Sequence, residues 1–210
     1  MIRHFTLKAP QGTLLGYLER PKHAHGLALV ARIHNNARDD LIAAGLAGRG
    51  YATLGMGLLT AREVQFLDAA QNIPRLCQRL LGILDRLRDD GDAEDLPLAL
   101  FAAGDVTPAA IRVAARRDMQ VRALICHGGL IDRAGLQALK LLNTPLLMLF
   151  NHDDDPAQTA LQRARPHLRS PCSEQALAAG EDPLPHIIAW LARHLPAPAI
   201  SDSTPDSIPG

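Results

Sequence analysis

The sequence has no surplus of charge of either sign: lysine plus arginine and aspartate plus glutamate both total 22 in a chain of 210 residues. Without a global basic field, nucleic acid and an anionic membrane surface are excluded as main partners, which leaves a small-molecule ligand or a protein partner. Cysteine is scarce too. Cys77, Cys126 and Cys172 are too few and too scattered for a disulfide framework or a CxxC metal site, so reduced thiols are expected. No apolar run reaches the roughly 20 residues that cross a bilayer. The opening MIRHFTLKAP lacks an apolar core of signal-peptide length, and the expectation is a soluble, cytoplasmic protein. Nothing in the sequence fixes an oligomeric state.

What is present is enough apolar material, 47% of the chain, to bury one sizeable core. Short apolar runs (HGLALVAR, GYATLGMG, PLALFAAG, VRALICHG and TPLLMLFN) alternate with helix-patterned stretches around residues 38–49, 72–89, 108–117 and 133–141. Strand and helix taking turns predicts a parallel sheet with helices on both faces. At the start, RHFTLKAP and TLLGYLER joined by Gln11-Gly12 read as an antiparallel hairpin on the sheet edge. Residues 72–89 carry an apolar stripe opposite arginine and aspartate, the pattern of a helix lying across a sheet. PLPHIIAWLARHL reads as a closing helix with Trp190 in the core, and PAPAISDSTPDSIPG as a disordered tail. The expected organisation is a single domain over residues 1–195 and a tail over 196–210.

Ligands of open parallel sheets bind beyond the carboxyl ends of the strands. In this chain those ends carry His34 and Asn35, Gly104 and Asp105, Cys126 and His127, and the run from Asn151 through His152, Asp153, Asp154 and Asp155. His34, Asn35, Cys126, His127 and His152 are therefore the candidate binding residues. Imidazoles and carboxylates suit zinc, but His34, His127 and His152 form no HxH or HxxxH pair with one another, so neither a metal nor another cofactor is expected. Adjacent strand residues point to opposite faces, so Cys126 and His127 are badly placed as thiolate and base, and a buried thiol beside a surface histidine is the preferred reading.

From about residue 3 to 195 the chain resembles the dienelactone hydrolase branch of the α/β-hydrolase superfamily, particularly the small bacterial hydrolases sometimes fused to a phosphoribosyltransferase domain. The resemblance rests on LPLALFAAGDVTPAAIRVAARRDMQVRALICHGG, on GYATLGMGLLTAREV and on TPLLMLFNHDDDPA. It implies a three-layer fold built on a mostly parallel sheet of about eight strands, with the antiparallel hairpin at its amino-terminal edge.

The resemblance also implies a nucleophile elbow, Gly-x-Ser-x-Gly, between a strand and a helix. Here that stretch is Ala102-Ala103-Gly104-Asp105-Val106, so glycine occupies the nucleophile position and β-branched Val106 a crowded flank. The glycine-rich oxyanion loop becomes RIHNNARDD. Asp154 matches the acid. The histidine is expected near Ala178 and is missing, with His186 several residues late and inside the closing helix. Two functions follow as expectations. The first is a dienelactone hydrolase-like protein that has lost serine- or cysteine-type ester hydrolysis and acts by binding a ligand or partner. The alternative is an active hydrolase with Asp105 as an elbow nucleophile, as in haloalkane-dehalogenase-like members, Asp154 as acid and His34, His127 or His152 as base. The plainer role for Asp105 or Thr107 is to cap the helix entered at Pro108.

Overall fold

A strand covered by helices on both sides is buried on both faces, and its sequence is apolar without interruption. That condition is met by β3 (Leu27–Arg32) and β4 (Ala52–Gly57), in which every residue is buried. It is nearly met by β5 (Leu98–Ala103), β6 (Val121–His127) and β7 (Leu146–Asn151). The computed structural model describes residues 1–34, 37–66 and 68–196. Asn35 lies outside the described residues, as does the expected tail beyond Pro196.

β1 (Ile2–Ala9) and β2 (Gly12–Glu19) form the antiparallel hairpin, which turns at Gly12 with φ +134°. With the polar strand β8 (Cys172–Leu177) at the far edge, the eight-stranded sheet runs β1-β2-β4-β3-β5-β6-β7-β8. Among the described residues only the β1–β2 and β2–β4 pairs are antiparallel. Side chains alternate between the two faces. Leu98, Leu100 and Ala102 of β5 join one apolar cluster with α2 (Ile73–Arg88), α3 (Thr107–Ala114), α4 (Leu136–Leu141) and α5 (Asp155–Ala164). Ala99 and Phe101 join the other, with α1 (Ala37–Ala47) and α6 (Leu184–His194), where Trp190 is buried.

Three boundaries differ from the sequence pattern. The helix expected over 133–141 is a single 3-10 turn, Ile131–Ala134, followed by α4, because Gly135 between them takes φ +88°. α3 ends at Ala114, one turn earlier than expected. β8 has a single buried residue, Leu177, along a sheet edge, so it carries no apolar run to announce it.

The loop after β4 is fixed by a buried ion pair. Arg79 of α2 donates from Nη2 to Glu63 Oε1 at 2.7 Å and from Nη1 to the Leu58 carbonyl at 2.5 Å. The other Glu63 oxygen accepts from Thr60 N and Thr60 Oγ1, both at 2.9 Å, while Glu63 N donates back to Thr60 Oγ1 at 3.4 Å. This is a capping box, Thr-x-x-Glu, set before the turn Glu63–Gln65. The same loop continues into the turn Ala69–Gln71, which touches the turn Gly104–Val106 after β5. The charge pair thus braces one wall of the functional edge.

The Arg79 hydrogen bond is the main cause holding the Glu63 carboxyl down at about 2, against an ordinary 4.5. A carboxylate whose folded pKa is depressed stabilises the fold above its unfolded pKa, and that stability is lost as pH falls through the folded value. Wild type is therefore expected to lose about 3 kcal/mol between pH 5 and pH 2 from this group alone, and Glu63→Gln to lack that part of the slope. Urea denaturation across the range measures it; parallel profiles for the two proteins would contradict the assignment.

Candidate functional site

The site is built on the turn where β5 ends. Gly104 takes φ +55°, a conformation that L side chains rarely adopt, and the chain then passes through the turn Gly104–Val106 into α3. A Cβ placed on Gly104 meets nothing within 4 Å. The turn holds the strained shape of a nucleophile elbow, with open space where the side chain would stand.

The end of β6 packs against this turn. At Gly129, φ +83°, an added Cβ would lie 2.1 Å from the Gly104 carbonyl oxygen and 3.0 Å from Thr107 Cβ. Only glycine fits there. Thr107 Oγ1 donates to the Gly128 carbonyl at 3.1 Å, tying α3 to the same segment. The expectation that Asp105 or Thr107 caps α3 is therefore corrected: the residue at the cap is Val106, which offers no side-chain acceptor, and the Thr107 hydroxyl is spent on Gly128. Val106 is also relieved of the crowding expected of it, because its side chain is fully buried in the core on the α2 side.

Asp105 is exposed and makes no hydrogen bond or ion pair among the described residues. Asp154 is the residue that caps α5, its Oδ1 accepting from Ala157 N at 3.1 Å. Its Oδ2 would lie 3.2 Å from a Cβ on Gly128, so the carboxylate does stand over the end of β6. His152 and His34 are exposed. The His152 backbone joins the sheet edge through Leu177, and its carbonyl accepts from Gln158 Nε2 at 2.9 Å.

Cys126 and His127 separate as strand geometry requires. Cys126 is fully buried in the core on the α2 side, and burial pushes its thiol well above the ordinary range against the opposing Thr107 hydroxyl. It is a core residue without thiolate character. His127 is half-buried at the strand end. Burial and then the Arg38 guanidinium lower its pKa, with Asn151, Asp39 and Asp154 acting in the opposite direction. Among the described residues no group of three His, Cys, Asp or Glu side chains is arranged to hold a metal ion.

No histidine occupies residues 178–183, the loop between β8 and α6. His186 lies in the first turns of α6, and its Nε2 is 2.8 Å from Glu181 Oε1. Glu181 Oε2 accepts from Ala178 N at 2.7 Å, so one carboxylate closes this loop onto itself. The hydrogen bond from His186 holds the Glu181 carboxyl below its usual range. A cleft of about 650 Å³ opens between this loop and α1, lined by Arg38 and Leu41 on the helix side and by Asn151, Asp153 and Glu181 opposite. Sequence reasoning missed Arg38 and Glu181. Their one signal was position, just past the ends of β3 and β8.

No protein-family profile matches the chain. Among solved structures, it is 25% identical to a dienelactone hydrolase from Anabaena variabilis, with a TM-score of 0.81 over 93% of this chain and 98% of that one. A cold-adapted esterase from an Arctic intertidal metagenomic library aligns at 15% identity and TM-score 0.71, covering 92% of this chain and 94% of its own. An α/β serine hydrolase homologue from Coxiella burnetii aligns at 17% and 0.70, covering 92% and 97%. Two curated proteins of Mycobacterium tuberculosis, strains CDC 1551 and H37Rv, provisionally named phosphoribosyl transferases, are each 29% identical over 161 residues, 75% of this chain. The match spans 36% of the length of those relatives. The chain has the α/β-hydrolase fold in its dienelactone hydrolase-like form.

The two glycines of the turn are expected to respond differently to a methyl group. Gly104→Ala places its Cβ in open space and costs about 1–2 kcal/mol for the left-handed backbone alone. Gly129→Ala drives a Cβ into the Gly104 carbonyl and is expected to cost about 3 kcal/mol or more, since backbone on both sides must move. Equal losses in urea denaturation would show that the close approach is not structural.

Proposed function

We propose that this protein is a dienelactone hydrolase-like member of the α/β-hydrolase fold that does not hydrolyse esters by a serine or cysteine nucleophile, and that it acts by binding a small molecule or a partner. The observation that carries this reading is Gly104: the elbow keeps its positive φ and its open space but presents a hydrogen atom. A triad requires nucleophile, base and acid in mutual hydrogen-bond reach. The base position holds no histidine, His186 is paired with Glu181, and Asp154 caps a helix.

The cleft between α1 and the β8–α6 loop suits such a role. It lies beyond the carboxyl ends of the strands, where ligands of open sheets bind, and it offers a guanidinium, an amide and carboxylates around apolar Leu41 and Ile42. The reading with Asp105 as nucleophile receives less support, because Asp105 has no hydrogen-bonding partner among the described residues to orient it. The phosphoribosyl transferase name of the curated relatives is not carried over, because the match spans a minor part of their length.

The test is turnover of short-chain aryl esters and haloalkanes by the purified protein. Wild type, Asp105→Asn and Asp154→Asn are expected to give the same background rate. Gly104→Ser is expected to stay within about 10-fold of that rate, since the general base that supplies about 10²–10⁴-fold is missing. Turnover abolished by Asp105→Asn would replace this reading with the relocated nucleophile, and robust turnover by Gly104→Ser would mean that a working histidine stands within reach.

A further inference from the structure

At the opposite edge of the sheet, by the amino ends of β5 and β6, lies a cavity of about 610 Å³ whose lining includes Arg88, Arg116, Arg117 and Arg122. Arg122 is put there by a fault in the sheet. β5 and β6 pair Leu98 with Val121 and next Ala99 with Ala123, so Arg122 is the extra residue of a bulge, with its side chain exposed at the cavity.

The arginines are only partly used by the protein. The Arg116 and Arg122 side chains make no hydrogen bond or ion pair among the described residues. Arg117 gives Nη2 to Asp85 at 2.9 Å, and its Nε is buried with no hydrogen-bond partner among the described residues. Arg88 reaches Asp85 and Asp89 only at 3.8 and 3.6 Å. Of the carboxylates that also line the cavity, Asp118 is engaged by Met119 N at 2.9 Å and Asn143 Nδ2 at 3.3 Å. Glu94 and Asp95 lie beyond ion-pair distance of every arginine. Apart from Gln120, whose Nε2 donates to the Leu84 carbonyl at 2.8 Å, the rest of the lining is apolar. Leu87 and Leu98 are buried beneath it and Met119 is 76% exposed at its rim.

We infer that this cavity binds a phosphate monoester carrying an apolar group, with Arg116, Arg117 and Arg122 around the phosphate and the leucines and Met119 against the substituent. Guanidinium forks match phosphate oxygens two at a time, and a dianion rewards several unpaired cations together. The bulge gives Arg122 a position that regular pairing would deny it. The inference concerns a site at the other end of the strands and stands independently of what the elbow does.

Isothermal titration of the whole chain at low salt tests it, with phenyl phosphate, inorganic phosphate, benzoate and phenol as probes. Phenyl phosphate is expected to bind with Kd below about 1 mM, inorganic phosphate and benzoate about 10-fold or more weakly, and phenol not measurably. Arg116→Ala and Arg122→Ala are each expected to weaken phenyl phosphate by about 5- to 10-fold while leaving the denaturation curve unchanged, because both side chains are exposed and unpaired. The inference is overturned by no phenyl phosphate binding at about 10 mM, by benzoate or phenol binding as tightly, or by affinity that neither substitution changes.

Discussion

The contact on which the functional edge depends is one of backbone against backbone: Gly129, at the end of β6, lies so close to the Gly104 carbonyl that no side chain fits between them. Both residues take positive φ. With the two segments in contact, the Thr107 hydroxyl reaches Gly128, α3 leaves the sheet at a fixed angle, and the Gly104 Cα faces open space. This geometry costs backbone strain whether or not a nucleophile is mounted on it, because the strain lies in the turn rather than in the side chain. Sheet, turn and helix are therefore held in place whatever side chain the turn carries.

The polar groups around the turn are mostly committed to holding the fold. The Cys126 thiol is sealed in the core, Asp154 caps the start of α5, Glu181 closes its own loop while engaging His186, and Glu63 with Arg79 pins the loop after β4 to α2. The Glu63 and Glu181 carboxylates, which accept backbone N–H bonds besides their side-chain partners, are held as anions and so are weak bases. His127 stands apart. Burial and Arg38 favour its neutral form, and two of the groups that act on it, Arg38 and Asn151, line the cleft between α1 and the β8–α6 loop.

The strands were legible because a doubly covered parallel sheet must be apolar on both faces, and β3 to β7 are. The hairpin declared itself through Gly12 and α2 through its stripe, while the Asn72 cap, which accepts from Arg75 N at 3.0 Å, emerges only in the structure. β8 did not, since Ser173, Glu174 and Gln175 on an edge strand look like a loop until pairing with β7 gives them a register. The positive φ of Gly104 was foreshadowed by an elbow motif, but the clearance at Gly129 and the use of the Thr107 hydroxyl are tertiary facts that local sequence does not encode. The same holds for Arg38 and Glu181, which meet across a cleft from opposite ends of the chain.

The most direct test of the central claim, an elbow without a nucleophile, is the intact mass and peptide map of the protein after incubation with an activated aryl ester at neutral pH. The account predicts no stoichiometric acyl adduct at the carboxyl edge of the sheet. A single adduct mapped to Asp105, or to any other residue around Gly104, would contradict it.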